Sequence, residues 1–227
     1  MENAGKKIVS LILRTEDGHM RNMVVIILGL AIAAVSFAAQ NEKMSWNFDA
    51  DKVGQIAKGF TCDAGKWEVV ADETAPSKPN VLAQLAKSSG PTFNMTLVKD
   101  TNYKDVDITV KMKAIAGSTD QGGGIVWRAK DARNYYVARF NPLEDNYNLY
   151  HVVNGRRSDI KGSKAKFTPG WHTLRVTMTG DQIQCYLDGQ KHLDAKDSTF
   201  KEAGKIGLWS KADAQSHFDD LEVSGKR

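Results

Sequence analysis

Residues 122–154 read GGGIVWRAKDARNYYVARFNPLEDNYNLYHVVN. Three runs rich in β-branched and aromatic residues are divided by polar breaks at 130–133 and 142–145. This is the pattern of consecutive antiparallel strands joined by short hairpin loops. Period-two alternation assigns the faces. Ile125 and Trp127 share one side of the first strand, with Val126 and Arg128 on the other. In the second, Tyr136, Ala138 and Phe140 make the apolar side and Tyr135, Val137 and Arg139 the opposite one. A hairpin centred between Arg133 and Asn134 would set Trp127 against Phe140 in the core and Arg128 against Arg139 outside. Like charges directly opposed are unfavourable, so a ligand or a loop carboxylate is expected to compensate them. If Leu149 and Val153 of the third strand face the core, Asn148 and Tyr150 join the arginine face. A basic, aromatic, amide-bearing sheet face suits sugar hydroxyls or an anionic ligand. The alternative is that Asp131, Glu144 or Asp145 simply pairs with the arginines.

The remaining sequence extends the same architecture. Asp188-Gly189 between alternating runs is a two-residue hairpin signal, and Gly180-Asp181 makes another turn. Parity buries His172, Leu174, Val176 and Met178 on one strand and Val106, Ile108, Val110 and Met112 on another. Many short strands with turns every eight to twelve residues, and no sustained helical period, predict an all-β, two-sheet antiparallel sandwich.

Upstream, residues 23–39 form an unbroken apolar run ending in Ser36-Phe37-Ala38. The small-x-small triplet predicts a signal peptide cleaved after Ala38 and a periplasmic or secreted product. The rival is an uncleaved anchor, the run being at the short limit for spanning a bilayer. Residues 1–38 are therefore set apart from one domain at 39–227. The net charge of +4 is too weak to argue for nucleic acid. Arg156-Arg157 and the lysines of 161–166 read as a solvated loop or edge strand. Cys62 and Cys185 lack the spacing of a CxxC motif. They read as free buried thiols, a bridge between them being the alternative.

No Gly-rich phosphate loop, GxSxG elbow or HExxH motif occurs, and the five histidines are scattered. Nor is there a Glu-x-Asp-x-Glu strand to flank a glycosidic bond. Glu144 and Asp145, and Asp105 with Asp107, are the nearest substitutes. In the closing segment Phe218-Asp219-Asp220-Leu221, Phe218 and Leu221 cannot both face inward on a regular strand, which predicts a bulge near Asp219. Asp219 and Asp220 would meet Asp49 if the first and last strands pair. That set of oxygens suits a structural Ca²⁺, the alternative being carboxylates that cap loop amides.

The chain resembles the concanavalin A-like, laminin G-like jelly rolls. Within them it is similar to the periplasmic domains related to 3-keto-disaccharide hydrolases, also described as family-16 glycoside hydrolase-like. The resemblance is carried by Trp46-Asn47-Phe48-Asp49, Gly123-Gly124-Ile125-Val126-Trp127-Arg128, Asp131-Ala132-Arg133-Asn134-Tyr135-Tyr136, Trp171-His172-Thr173-Leu174, Tyr186-Leu187-Asp188-Gly189 and Phe218-Asp219-Asp220. It implies a jelly roll with a sugar-facing sheet. In the hydrolase relatives a Gly-Tyr-Glu strand brings a carboxylate to the sugar; here Asn134-Tyr135-Tyr136-Val137-Ala138-Arg139 carries none. The expectation is thus an exported domain that recognises a sugar or sugar acid through Arg128, Arg139, Tyr135, Tyr150 and Asn148, with Trp209 as a stacking platform. The alternatives are a 3-keto-glycoside hydrolase or lyase using Glu144 or Asp145, and a structural or adhesive envelope protein.

Overall fold

A computed structural model describes residues 43–226 apart from Ala165 and Phe167; the expected leader at 1–38 lies outside the described residues. Within them the chain forms two antiparallel sheets and no helix. The larger sheet contains β1 (Met44–Trp46), β2 (Trp67–Ala71), β3 (Asn80–Gln84), β5 (Asp105–Ala116), β10 (Trp171–Thr179), β11 (Gln182–Leu187), β12 (Gln190–Lys196) and β14 (Gln215–Lys226). Its order is β12-β11-β10-β5-β14-β3-β2, with β1 also paired to β14. The smaller sheet comprises β4 (Phe93–Leu97), β6 (Gly123–Asp131), β7 (Asn134–Asn141), β8 (Asn146–Val153), β9 (Arg156–Lys164) and β13 (Lys205–Lys211), in the order β4-β13-β6-β7-β8-β9. The fold is the concanavalin A-like jelly-roll sandwich.

Alternation fills the space between the sheets. Val106, Ile108, Val110 and Met112 of β5 and Leu174, Val176 and Met178 of β10 meet Ile125, Trp127, Tyr136, Ala138, Phe140 and Leu149 from the facing sheet. Burying each side chain of this size contributes about 1.5–3 kcal/mol. Two-residue turns at Asn154-Gly155 and Asp188-Gly189 have positive φ at both positions, the backbone a type I′ hairpin requires. β9, which follows the first of these, is an exposed edge strand carrying Arg156, Lys161 and Lys164.

Two bulges matter for the site. The β5–β14 ladder slips between Asp219 and Glu222, and Asp220 has φ 46°. The slip lets Phe218 and Leu221 both turn inward, as their spacing demands. In β6, Trp127 pairs with Tyr136 and Asp131 with Asn134, so three residues stand opposite one. Arg128 lies in that bulge with φ 45°.

The six-stranded sheet is apolar on both faces. Away from the main core, Met95, Leu97, Val126, Tyr135, Val137, Tyr150, Val152 and Trp209 form a second buried cluster. β4 and β9 are opposite edges, about 24 Å apart if the sheet were flat. Yet the Arg157 guanidinium of β9 lies 5.7 Å from the Phe93 ring of β4. The sheet is therefore strongly coiled, and its outer face is a concavity that partly closes over its own side chains.

Candidate functional site: the concave face

Register brings five of the six expected ligand residues onto this concave face. Arg139 of β7 pairs with Asn148 of β8, and Val137 with Tyr150. Trp209 of β13 stands beside Gly124, which in turn pairs with Arg139. Gly124 cannot be replaced without moving a strand, because a Cβ there would lie 2.2 Å from the Ala138 carbonyl oxygen. Trp209 donates Nε1 to Tyr135 Oη at 3.1 Å, and Asn148 donates to Tyr150 Oη at 2.9 Å. Tyr135, Tyr150 and Trp209 are all buried. Trp209 is thus part of the floor, with Phe93 against it at 5.3 Å, and not the exposed platform expected of it. Burial pushes the Tyr135 phenol far above its ordinary pKa.

Arg128 does not belong to this face. Its expected position opposite Arg139 is overturned twice over: the turn is centred between Ala132 and Arg133, one residue earlier than expected, and the β6 bulge then shifts the register further and takes Arg128 out of the ladder. Its side chain is 2% exposed and donates to three carbonyls: Lys104 at 2.7 Å, Phe200 at 2.6 Å and Gly180 at 2.8 Å. Asp105 lies 3.5 Å away. Its donors tie three loops together.

Arg139 is the centre of a charged cluster at one end of the concavity. Its Nη1 donates to Asp120 Oδ2 at 3.0 Å and its Nη2 to Asn146 Oδ1 at 3.0 Å. Nη2 also pairs closely with Glu144 Oε2. Asp120 is fully buried; its Oδ1 accepts from Gly122 N at 2.7 Å and Asn141 Nδ2 at 3.1 Å, and Lys211 Nζ lies 3.8 Å from Oδ2. Burial raises the Asp120 pKa above the ordinary carboxylate range, and the Arg139 charge offsets this in part. Burial also opposes ionisation of Glu144, but hydrogen bonding from Asn146 and the charge of Arg139 outweigh it, so its pKa is lowered. Arg139 Nε is buried with no hydrogen-bond partner. Asp145, the other weak candidate, has φ 48° in the β7–β8 turn.

Asp120, Asn146, Lys211 and Arg157 were not singled out from sequence as ligand residues. Asp120 precedes the Gly122-Gly123-Gly124 run, and nothing in that run names its charge partner. Arg157 was legible: a two-residue turn at Asn154-Gly155 pairs it with Val152, on the Tyr150 face.

The carboxylates expected at a calcium site lie near the β1–β14 junction, and these strands do pair. Asp219 is buried and accepts from Ser77 N at 2.8 Å, Ser77 Oγ at 3.0 Å and Asp220 N at 2.8 Å. Asp49 accepts from Asn80 N at 3.1 Å. Among the described residues no group of three or more His, Cys, Asp and Glu side chains is arranged to hold a metal. The cysteines are both free, but Cys62 is exposed rather than buried because it lies in the loop before β2, outside the strand alternation; Cys185 is in the core.

A family model described as the 3-keto-alpha-glucoside-1,2-lyase-like domain matches residues 46–224. The chain belongs to this family. Among solved structures it is similar to the carbohydrate binding module CBM66 from Bacillus subtilis, at 23% identity and TM-score 0.62, covering 74% of this chain and 96% of that one. It also resembles a Bacillus licheniformis β-glucanase, at 14% identity and TM-score 0.55, covering 83% and 100% of the two chains. A protein of unknown function with a galectin-like fold from Bacillus subtilis gives 11% identity and TM-score 0.53, with coverages of 81% and 100%. No curated protein matches. At these identities the structural likenesses establish the fold.

Proposed function

We propose that this member of the 3-keto-alpha-glucoside-1,2-lyase-like family is an exported domain that binds a sugar or sugar acid in the concavity of its six-stranded sheet. One observation carries the reading: Arg139, Asn148, Tyr135, Tyr150 and Trp209 share that face, which ends in the polar cluster of Asp120, Glu144 and Asn146. Guanidinium and amide groups suit vicinal hydroxyls, while the buried rings of Tyr135 and Trp209 shape the floor beneath them. The family match and the carbohydrate-binding module among the structural neighbours support the same substrate class.

A second reading, elimination on a 3-keto-glycoside, is favoured by the family name and by two carboxylates on one guanidinium whose titrations are displaced in opposite directions. Ionised Glu144 would take the proton from the carbon beside the keto group. The electron pair would form the new C=C bond as the glycosidic C–O bond breaks, and the leaving oxygen would take up a proton. The test is to incubate the purified protein with ordinary and 3-keto disaccharides, following binding by calorimetry and products by mass. Binding without turnover supports the recognition domain. Turnover abolished by Glu144→Gln establishes the enzyme instead, and neither binding nor turnover refutes both.

A further inference from the structure

The second guanidinium on the concave face is Arg157, and its surroundings differ from those of Arg139. Its Cζ lies 4.2 Å from the Tyr150 ring centroid and 5.7 Å from that of Phe93, so it spans from β9 across the concavity towards β4. Its charge reaches Tyr135, whose ionisation it favours against the larger effect of burial. Its Nη1 is buried without a hydrogen-bond partner, and among the described residues no carboxylate forms an ion pair with Arg157. A buried guanidinium N–H left unmatched is costly. Stacking on two rings holds the plane of the cation but supplies no acceptor. Arg139, by contrast, already has Asp120 and Glu144.

We propose that Arg157 is the anion-recognising residue of the concave site, and that the ligand is an acidic glycan whose carboxylate or sulfate pairs with it. This rests on the reading of the concave face as a sugar site and names the ligand class. Arg157 pairs through Val152, four residues along β8 from Asn148, the partner of Arg139. The two guanidiniums are thus based about 13 Å apart along the strand. A ligand whose acid group meets Arg157 lies along β8 over the partly exposed Asn148, and over Tyr150 once Arg157 has moved off that ring. Arg157 then leaves Phe93 for the fork geometry a carboxylate or sulfate prefers.

The test uses three probes on the purified protein: an oligogalacturonate, its methyl ester, and a sulfated galactan oligosaccharide, with binding measured by calorimetry. At least one acidic probe should bind roughly tenfold or more tightly than the neutral ester. Whichever it is identifies carboxylate or sulfate as the recognised group. Arg157→Gln should reduce binding to the ester's level without lowering the unfolding midpoint, and Arg157→Lys should restore part of the difference. Equal binding of acidic and neutral probes, unchanged by Arg157→Gln, overturns the inference and leaves the sugar site standing. An acidic preference that survives Arg157→Gln overturns the assignment to Arg157. No binding of these probes or of a neutral oligosaccharide panel overturns both.

Discussion

Arg128 and Arg139 are almost equally buried, at 2% and 1% exposure, yet their surroundings oppose each other. Arg128 is met chiefly by peptide carbonyls, which do not titrate. Arg139 is met by Asp120 and Glu144, which do. The first arrangement fixes loop positions at any pH. The second stores charge at the end of a concave face, where a proton can redistribute it. Burial alone therefore does not tell the two arginines apart; the chemistry of their acceptors does.

The largest effect expected is from Arg139→Met, which strands buried Asp120 and should cost about 3–5 kcal/mol at neutral pH. Without the guanidinium, the raised pKa of Asp120 rises further. The folded state then holds the proton that the unfolded chain releases, so the deficit shrinks as the pH falls. Denaturant unfolding across pH measures this, and a pH-independent loss would break the contrast. Arg128→Met should cost somewhat less, about 2–3 kcal/mol, from three carbonyls losing their donor. That loss should be the same across the neutral range, with sugar binding unchanged in the folded protein. Lost binding without lost stability would place Arg128 at the site after all.

Glu144 is 43% exposed at its side chain, so Glu144→Gln should cost less than about 1 kcal/mol. Its folded-state pKa lies below the ordinary 4.5. The contribution is therefore present above that pH and is lost as the pH falls through the lowered value. An unfolding series at acid pH would show the two proteins converging. The smallest effect concerns Asp49, Asp219 and Asp220. Since protein donors already occupy the Asp219 oxygens, a chelator, and then added Ca²⁺, should leave the unfolding midpoint unmoved. A metal held only by the folded state at a hundredfold excess would add about 2.7 kcal/mol, and such a rise would restore the calcium site.

The face assignments of β7 and β8 were legible because a period of two survives any change in pairing partner. Tyr135, Val137 and Arg139 lie opposite Tyr136, Ala138 and Phe140 whatever β6 does. The register was not legible. It depends on a turn centred one residue earlier than expected and on the bulge at residues 128–130, and nothing in Arg128-Ala129-Lys130 announces an arginine with positive φ. The bulge at Asp219 was readable because Phe218 and Leu221 are both large and apolar, so that regular pairing would have exposed one of them. Asp120 and Lys211 were out of reach for another reason. They approach Arg139 only after the six-stranded sheet has set β13, β6 and β7 side by side.

The position of β14 constrains how this chain reaches its fold. The last of the fourteen described strands is an interior strand of the eight-stranded sheet, holding β5 on one side and β3 and β1 on the other. Until residues 215–226 are in place, β5 has an unpaired edge and β1 and β3 have no neighbour to join them to it. The closure spans nearly the whole domain, and such non-local pairing is entropically costly to initiate. A truncation that removes β14 is expected to leave β12-β11-β10-β5 and β3-β2 as separate pieces of sheet, with β1 unpaired, instead of a shortened domain.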